Sequence, residues 1–277
     1  MDDPDATRGL GHGASELLDC AVVEARRLAD DLILLRLAPP RRFDAEPGQF
    51  AMLRPTAPRG IALLGRPMSV LGAGDEASFL IRRCGQGTEA LAALRAGDRV
   101  AVLGPLGRGW GSPATGAAPV LVAGGVGLAP LLFAAREMAG RGLRARVLYG
   151  ARTASQLVLT DDAATVAALE VATDDGSAGH HGPVTELLEP ALRAAGGAAE
   201  VWTCGPEGMM ERVARIALGA GLRCKVSLEA RMACGRGLCL GCARLDATGA
   251  PRYVCSDGPV LDAELVYPGA WAGGGGV

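Results

Sequence analysis

The stretch CGRGLCLGC, residues 234–242, places Cys234, Cys239 and Cys242 within nine positions, and Cys255 follows in YVCSDGP. Thiols at this density bind metal or one another. A C-x4-C-x2-C spacing with a fourth cysteine downstream is the plant-type [2Fe–2S] ligand pattern. Structural zinc instead uses two separated C-x2–4-C knuckles or Cys/His pairs, and no histidine lies near these thiols. Gly235, Gly237 and Gly241 free the backbone to wrap a cluster and aim N–H groups at its sulfurs. The spacing predicts a [2Fe–2S] cluster on Cys234, Cys239, Cys242 and Cys255, with zinc and disulfides as the alternatives.

Four further motifs point to nucleotides. LVAGGVGLAP reads as a strand, a glycine turn and a helix start, in which Gly124, Gly125 and Gly127 let the backbone approach a phosphate. The spacing is not the G-x-G-x-x-G fingerprint, and a tight turn without a ligand has the same sequence. TCGPEGM, residues 203–209, repeats the arrangement at the end of a later strand, and nucleotides bind at strand ends on one edge of a parallel sheet. Its Cys204 fits either a nicotinamide-facing thiol or a packed one. In GRPMS, residues 65–69, Arg66 suits bidentate contact with a pyrophosphate and Ser69 can donate to a flavin ring nitrogen. The plain alternative is a surface arginine before a proline turn. CGQGTEAL, residues 84–91, opens a helix with Thr88 as its N-cap and exposed N–H groups as a second anion site. An ordinary capped helix would read the same.

The elements that must position these groups follow from the patterning of the 277 residues. Residues 1–14 read as a disordered tail. Residues 15–110 hold short β-like runs separated by Gly, Pro and Asp, which predict a small antiparallel barrel. After the Gly/Pro/Ser-rich linker 111–116, apolar runs alternate with helical-period segments through residue 222. This predicts a parallel α/β sheet. Residues 223–277 form a cysteine-bearing module too small for an ample core of its own. The fold class is thus multi-domain, β plus α/β with a cluster appendage.

Composition bounds the partners. A net charge of −2 gives no footprint for nucleic acid or anionic membrane. The basic residues include a single lysine, Lys225. The amino terminus has no apolar core of a signal peptide, so a cytoplasmic location is expected. Eight cysteines in that setting favour metal or catalytic use over disulfides. Cys20, Cys84 and Cys224 read as small buried hydrophobes. The uncharged run 117–135 is long enough to cross a bilayer, but its glycines and Pro130 favour strand, turn and buried helix.

In order, GRPMS, GQGT, GPLG, GGVGLAP, TDDGSAGHHG, CGPEGMM and EARMACGRGLCLGC…VCSDGPV resemble the electron-transfer subunit of NAD-linked dihydroorotate dehydrogenases. These are ferredoxin-reductase-like flavoproteins with a carboxy-terminal [2Fe–2S] domain. The resemblance runs from about residue 17 to 265. It implies FAD on the barrel, held by Arg66, Pro67, Met68 and Ser69, with Gly85, Gly87 and Thr88 around its pyrophosphate. It implies NAD at Gly124, Gly125, Gly127 and Pro130 with Cys204, Gly205 and Pro206, and iron on the four cysteines. Met68 stands where ferredoxin reductases usually carry an aromatic between the Arg and the Ser. The implied partner is an FMN-containing catalytic subunit in a two-plus-two heterotetramer. That subunit oxidises dihydroorotate in pyrimidine biosynthesis, and electrons pass through the cluster and FAD to NAD+. This chain itself shows no acid–base residue for dihydroorotate.

Two other readings remain open at this point. One keeps the cofactors but makes the chain an NAD(P)H-dependent reductase subunit serving ferredoxin, sulfur compounds or another flavoenzyme. The other is a regulatory module with structural zinc. Arg152, after RVLYGA, fits a 2′-phosphate contact or a solvated loop, so NAD against NADP stays undecided.

Overall fold

The computed structural model describes residues 15–56 and 64–267, so the expected tail at 1–14 and the glycine-rich end lie outside the described residues. All elements below are those of the described residues. Six strands close an antiparallel barrel: β1 (Glu16–Arg27), β2 (Leu32–Ala38), β3 (Phe50–Pro55), β4 (Arg66–Gly72), β5 (Ala77–Arg82) and β6 (Arg99–Leu106). Their order is β1-β2-β5-β4-β3-β6. Strand alternation sets which side chains fill it: Leu18, Cys20 and Val22 of β1 are buried, while Leu17, Asp19 and Val23, on the opposite face, are exposed. Strand β2 is apolar on both faces because it has two cores to serve. Leu35 and Leu37 belong to the barrel interior, and Leu32 and Leu34 to a core outside it. Helix α1 (Gln86–Ala92) follows β5 and adds Leu91 to the barrel core.

The second unit is a seven-stranded sheet. Its strands are β7 (Ala118–Gly124), β8 (Ala145–Ala151), β9 (Ala167–Thr173), β10 (His180–His181), β11 (Ala199–Cys204), β12 (Arg223–Ser227) and β15 (Val260–Asp262). The order is β10-β9-β8-β7-β11-β12-β15. Every pairing is parallel except β12 with β15. Helices α2 (Leu128–Gly140), α3 (Thr160–Val166), α4 (Leu188–Ala194) and α5 (Glu207–Gly219) connect the parallel strands. The uncharged run 117–135 is β7, a glycine turn and the first half of α2. It lacks charge because α2 is sandwiched: Leu131 and Leu132 share a core with Leu34, Leu71 and Leu80 of the barrel, and Phe133 reaches the barrel interior. No helix among the described residues is long and apolar enough to cross a membrane.

The cysteine-bearing segment carries the hairpin β13 (Ala243–Leu245) and β14 (Pro251–Tyr253), then β15 and α6 (Ala263–Val266). It is built into both neighbours. β15 extends the sheet, and Arg108 N, just after β6, donates to Gly258 O at 2.6 Å. A Cβ at Gly107 would lie 2.6 Å from Pro259 Cδ, so the GPLG turn and the SDGP turn touch.

A buried polar knot holds the linker after the barrel to the sheet. Glu200, 1% exposed, accepts from Trp202 Nε1 at 2.8 Å and from Ala114 N at 2.9 Å. Trp202 stacks on Trp110 with centroids 5.2 Å apart, and Lys225 donates to Trp110 O at 2.6 Å. Glu200→Ala strands the buried Trp202 N–H and releases the exposed Ala114 amide to water, which costs about 1–3 kcal/mol. A thermal melt should therefore fall by several degrees; an unchanged melting temperature would contradict this role.

Candidate cofactor cleft and cluster loop

A cleft of about 430 Å³ opens where barrel, sheet and cysteine module meet. Pro67, Met68 and Ser69 of β4 form the barrel wall with Phe50, Leu80 and Arg82. Gly124, Gly127, Cys204, Gly205 and Pro206 form the sheet wall, at the carboxyl ends of β7 and β11. The third wall is Leu228, Glu229, Ala230 and Met232, the segment leading from β12 into the cysteine loop. The structure thus brings together the GRPMS, GGVG and CGP motifs, at residues 65–69, 124–127 and 204–206 of the sequence.

Arg66, Gly85 and Gly87 lie beside the cleft, and Thr88 lines it. A Cβ at Gly87 would stand 2.0 Å from Arg66 Nε, so the guanidinium rests directly on the opening of α1. Thr88 is not the N-cap. The helix begins at Gln86 with Gly85 as cap, which leaves Thr88 at its third position. From there its hydroxyl reaches back, accepting from Cys84 N at 2.8 Å and Gly85 N at 3.2 Å and bonding Gly85 O at 2.9 Å. Cys84 is also not buried: it is exposed at this turn, unlike Cys20 and Cys224.

The glycines of the sheet wall have a packing reason as well as a ligand reason. A Cβ at Gly127 would fall 2.1 Å from Cys204 O, and one at Gly124 would fall 2.6 Å from Pro206 Cδ. The two glycine turns therefore rest on each other. Gly125, at φ 54°, faces Arg82 instead, whose Nη2 would be 2.8 Å from a Cβ there. Pro130 sits inside the first turn of α2, buried and away from the cleft lining; its missing N–H suits that position. Cys204 lines the cleft but is 3% exposed, and burial, with Glu229 adding to it, pushes its thiol up to about 12. It is a packed thiol. Arg152, exposed after β8, lies beside the TDDG pair, since Asp174 N donates to Ala151 O and Asp175 N to Arg152 O.

Three charged residues of the cleft had no role assigned from the sequence, although two of them lie inside the quoted motifs: Arg82, Glu207 and Glu229. Arg82 Nε stands 3.3 Å from Asp31 Oδ2 but off the hydrogen-bond direction, so this buried N–H has no hydrogen-bond partner among the described residues. A buried orphan donor beside a glycine turn fits an acceptor-rich ligand such as a flavin or a dinucleotide. α5 carries no side-chain cap, which leaves the Glu207 and Gly208 N–H groups without a partner among the described residues, whereas at α2 the turn Gly125–Gly127 already takes the Leu128 N–H. Burial pushes the Glu229 carboxyl up, Arg82 pulls it down, and Glu207 pushes it up again.

The cysteine loop is made for sulfur ligands. All eight cysteines are free thiols, and Cys242 Sγ lies 3.2 Å from Cys255 Sγ, well outside a disulfide bond. Backbone amides point at the sulfurs: Gly237 N to Cys255 at 3.1 Å, Arg236 N and Cys239 N to Cys234 at 3.4 Å, and Cys255 N to Cys242 at 3.4 Å. Gly235 (φ 68°) and Gly237 (φ 75°) take the left-handed turns this requires. Slight burial pushes the Cys234 thiol up, but the amides of Arg236, Cys239 and Leu238 outweigh it and bring it down to about 7. Cys255 is pushed up to about 12, by burial first and then by Cys242. Amide donors that favour thiolate, beside a buried sulfur pair needing a cation, fit an iron–sulfur cluster. Among the described residues no three His, Cys, Asp or Glu side chains gather around a single-ion position.

Two outcomes follow. Gly127→Ala, whose Cβ collides with Cys204 O, should force the two turns apart and weaken nucleotide binding at least about tenfold in an equilibrium titration. For Glu229, the folded chain holds the proton more tightly than the unfolded chain. Its contribution to stability therefore falls as pH rises above the ordinary carboxylate range. Glu229→Gln should melt higher than the parent at about pH 8 and converge with it near about pH 4. An equal offset at both pH values would contradict that burial effect.

Residues 229–267 match a family described as the iron–sulfur cluster binding domain of dihydroorotate dehydrogenase B, and residues 121–215 match an oxidoreductase NAD-binding domain. The electron transfer subunit of dihydroorotate dehydrogenase B (NAD(+)) from Clostridium acetobutylicum is 36% identical over 81% of this chain and 87% of its own length. The probable counterpart from Methanocaldococcus jannaschii is 37% identical, over 79% and 80%. A solved structure of an NADH-dependent reduced ferredoxin-NADP oxidoreductase aligns with TM-score 0.79 and 28% identity, over 92% of this chain and 91% of that one. By its sequence, its order of domains and its cysteine loop, the chain belongs to the family of NAD-linked dihydroorotate dehydrogenase B electron-transfer subunits.

Proposed function

We propose that this chain carries electrons from the FMN of a dihydroorotate dehydrogenase catalytic subunit, through a [2Fe–2S] cluster and FAD, to NAD+ in pyrimidine biosynthesis. The observation that carries the proposal is contiguity. The segment 228–232 is at once a wall of the cleft and the lead into Cys234, so cluster loop and flavin cleft share one stretch of backbone. When bound, the cluster supplies one-electron transfer and the flavin converts between single electrons and hydride, which nicotinamide requires.

The chain's own residues then have distinct tasks. Pro67, Met68 and Ser69 with Phe50 would seat the flavin ring, with Met68 giving a thioether in place of an aromatic stack. Arg66 on the opening of α1, with Gly85, Gly87 and Thr88, would hold the pyrophosphate. The paired turns at Gly124–Gly127 and Cys204–Pro206 would receive the nicotinamide nucleotide, with Arg82 as its nearest guanidinium. Cys234, Cys239, Cys242 and Cys255 would ligate iron. Cys239 is exposed, and Leu238 and Leu240 flank it at 79% and 51% exposure. Exposed leucines around a cluster ligand suit the docking of a catalytic subunit, with two copies of each chain in the assembly.

A second reading is favoured by the match to the reduced ferredoxin-NADP oxidoreductase, which spans nearly the whole chain. There the cluster would exchange electrons with ferredoxin rather than with an FMN subunit. The two readings part in one assay. The purified chain with dihydroorotate and NAD+ should show no turnover, and adding the FMN-containing dehydrogenase subunit should yield orotate and NADH together. Turnover without that subunit would refute the proposal. NADH oxidation with ferredoxin, and none with the dehydrogenase subunit, would favour the second reading.

A further inference from the structure

Glu207 opens α5 and stands in the cleft wall beside Gly205 and Pro206. A carboxylate there opposes an anionic ligand twice, by direct repulsion and by competing for the helix's first N–H groups. The structure draws it aside. Arg244, in β13 of the cysteine module, bonds both of its oxygens, Nη1 to Oε2 at 2.9 Å and Nη2 to Oε1 at 2.7 Å. The Tyr267 hydroxyl donates to Oε1 at 2.8 Å. Arg244, against a smaller opposing effect of partial burial and with help from Tyr267, holds this carboxyl below the usual range. α5 carries no side-chain cap, so its first two N–H groups, those of Glu207 and Gly208, stay available, while those of Met209 and Met210 bond Pro206 O. The three residues come from three separate stretches of chain, and two of them belong to the cysteine module.

We propose that Arg244 is a positioning residue for the nicotinamide nucleotide: it neutralises Glu207 and holds it off the second glycine turn. Binding of the dinucleotide to the sheet thereby depends on a docked cysteine module. This deepens the NAD-binding reading of the cleft and rests on it.

The test is an NAD+ titration of the full, cofactor-loaded chain with its flavin oxidised, so that binding is read without hydride transfer, followed by calorimetry, with cluster absorbance and flavin content recorded for each variant. Arg244→Ala should weaken NAD+ binding about fivefold or more, because a bare carboxylate then faces the phosphates. Glu207→Gln should tighten it about twofold or more by leaving Arg244 free. The double variant should return to within about threefold of the parent. A purely structural tie would instead leave the double variant as weak as Arg244→Ala, and that result overturns the proposal. So does an Arg244→Ala chain that binds NAD+ like the parent. If Arg244→Ala loses its cluster, Glu207→Gln decides alone, since equal or weaker binding contradicts the charge argument. A parent chain that binds no NAD+ removes the nucleotide reading itself; a parent that binds while all variants match it removes only this inference.

Discussion

Cys242, Val254 and Cys255 share one apolar core with Phe50, Met52 and Leu106 of the barrel and with Val226 and Leu228 on the sheet side. A segment of this length cannot bury enough surface to fold alone, so it takes its stability from both neighbours. The consequence is positional. Gly235 lies so close to Met52 that a Cβ would stand 2.8 Å from Met52 Cγ, and the same strand β3 supplies Phe50 to the cleft. The cysteine loop is therefore fixed relative to the cleft by close packing rather than by a linker. Close-packed interiors resist small displacements, which is what an electron path between two centres needs.

The cleft's electrostatics follow from the same convergence. Arg82 comes from the barrel, Glu207 from the sheet and Glu229 from the approach to the cysteines. Each is displaced from its ordinary surroundings by burial or by a partner on another unit. The result is a pocket with a guanidinium turned to one glycine turn and a carboxylate held back from the other. Such an arrangement suits an anionic dinucleotide even without a conventional G-x-G-x-x-G loop. The apolar packing of Leu34, Leu71 and Leu80 against α2 keeps the barrel and sheet walls in register.

Local chemistry was legible in the sequence, and convergence was not. Ligand spacing is a short-range property, so the four cysteines announced their chemistry within a few residues. The uncharged run 117–135 announced a strand, a turn and a buried helix because its glycines and Pro130 fall where a bilayer-crossing helix would be interrupted. The glycine turns were legible as turns, but part of their cause is that they abut each other, as Gly127 against Cys204 O shows. Thr88 looked like an N-cap because its type fits one, whereas the helix starts two residues earlier. Glu207 and Glu229 sit inside quoted motifs, but their roles and that of Arg82 were not legible, since each acts through neighbours dozens of residues away. β15 escaped notice for a similar reason: three residues make a weak strand until β12 offers an edge to pair with.

The central claim is that the four thiols hold bridged iron and so join a flavin cleft to an outside partner. Iron, zinc and acid-labile sulfide, measured together on protein purified without oxygen, address it most directly. The account requires about two irons and about two sulfides per chain, with no stoichiometric zinc. One zinc per chain without sulfide, or iron-free protein with oxidised thiols, would contradict it.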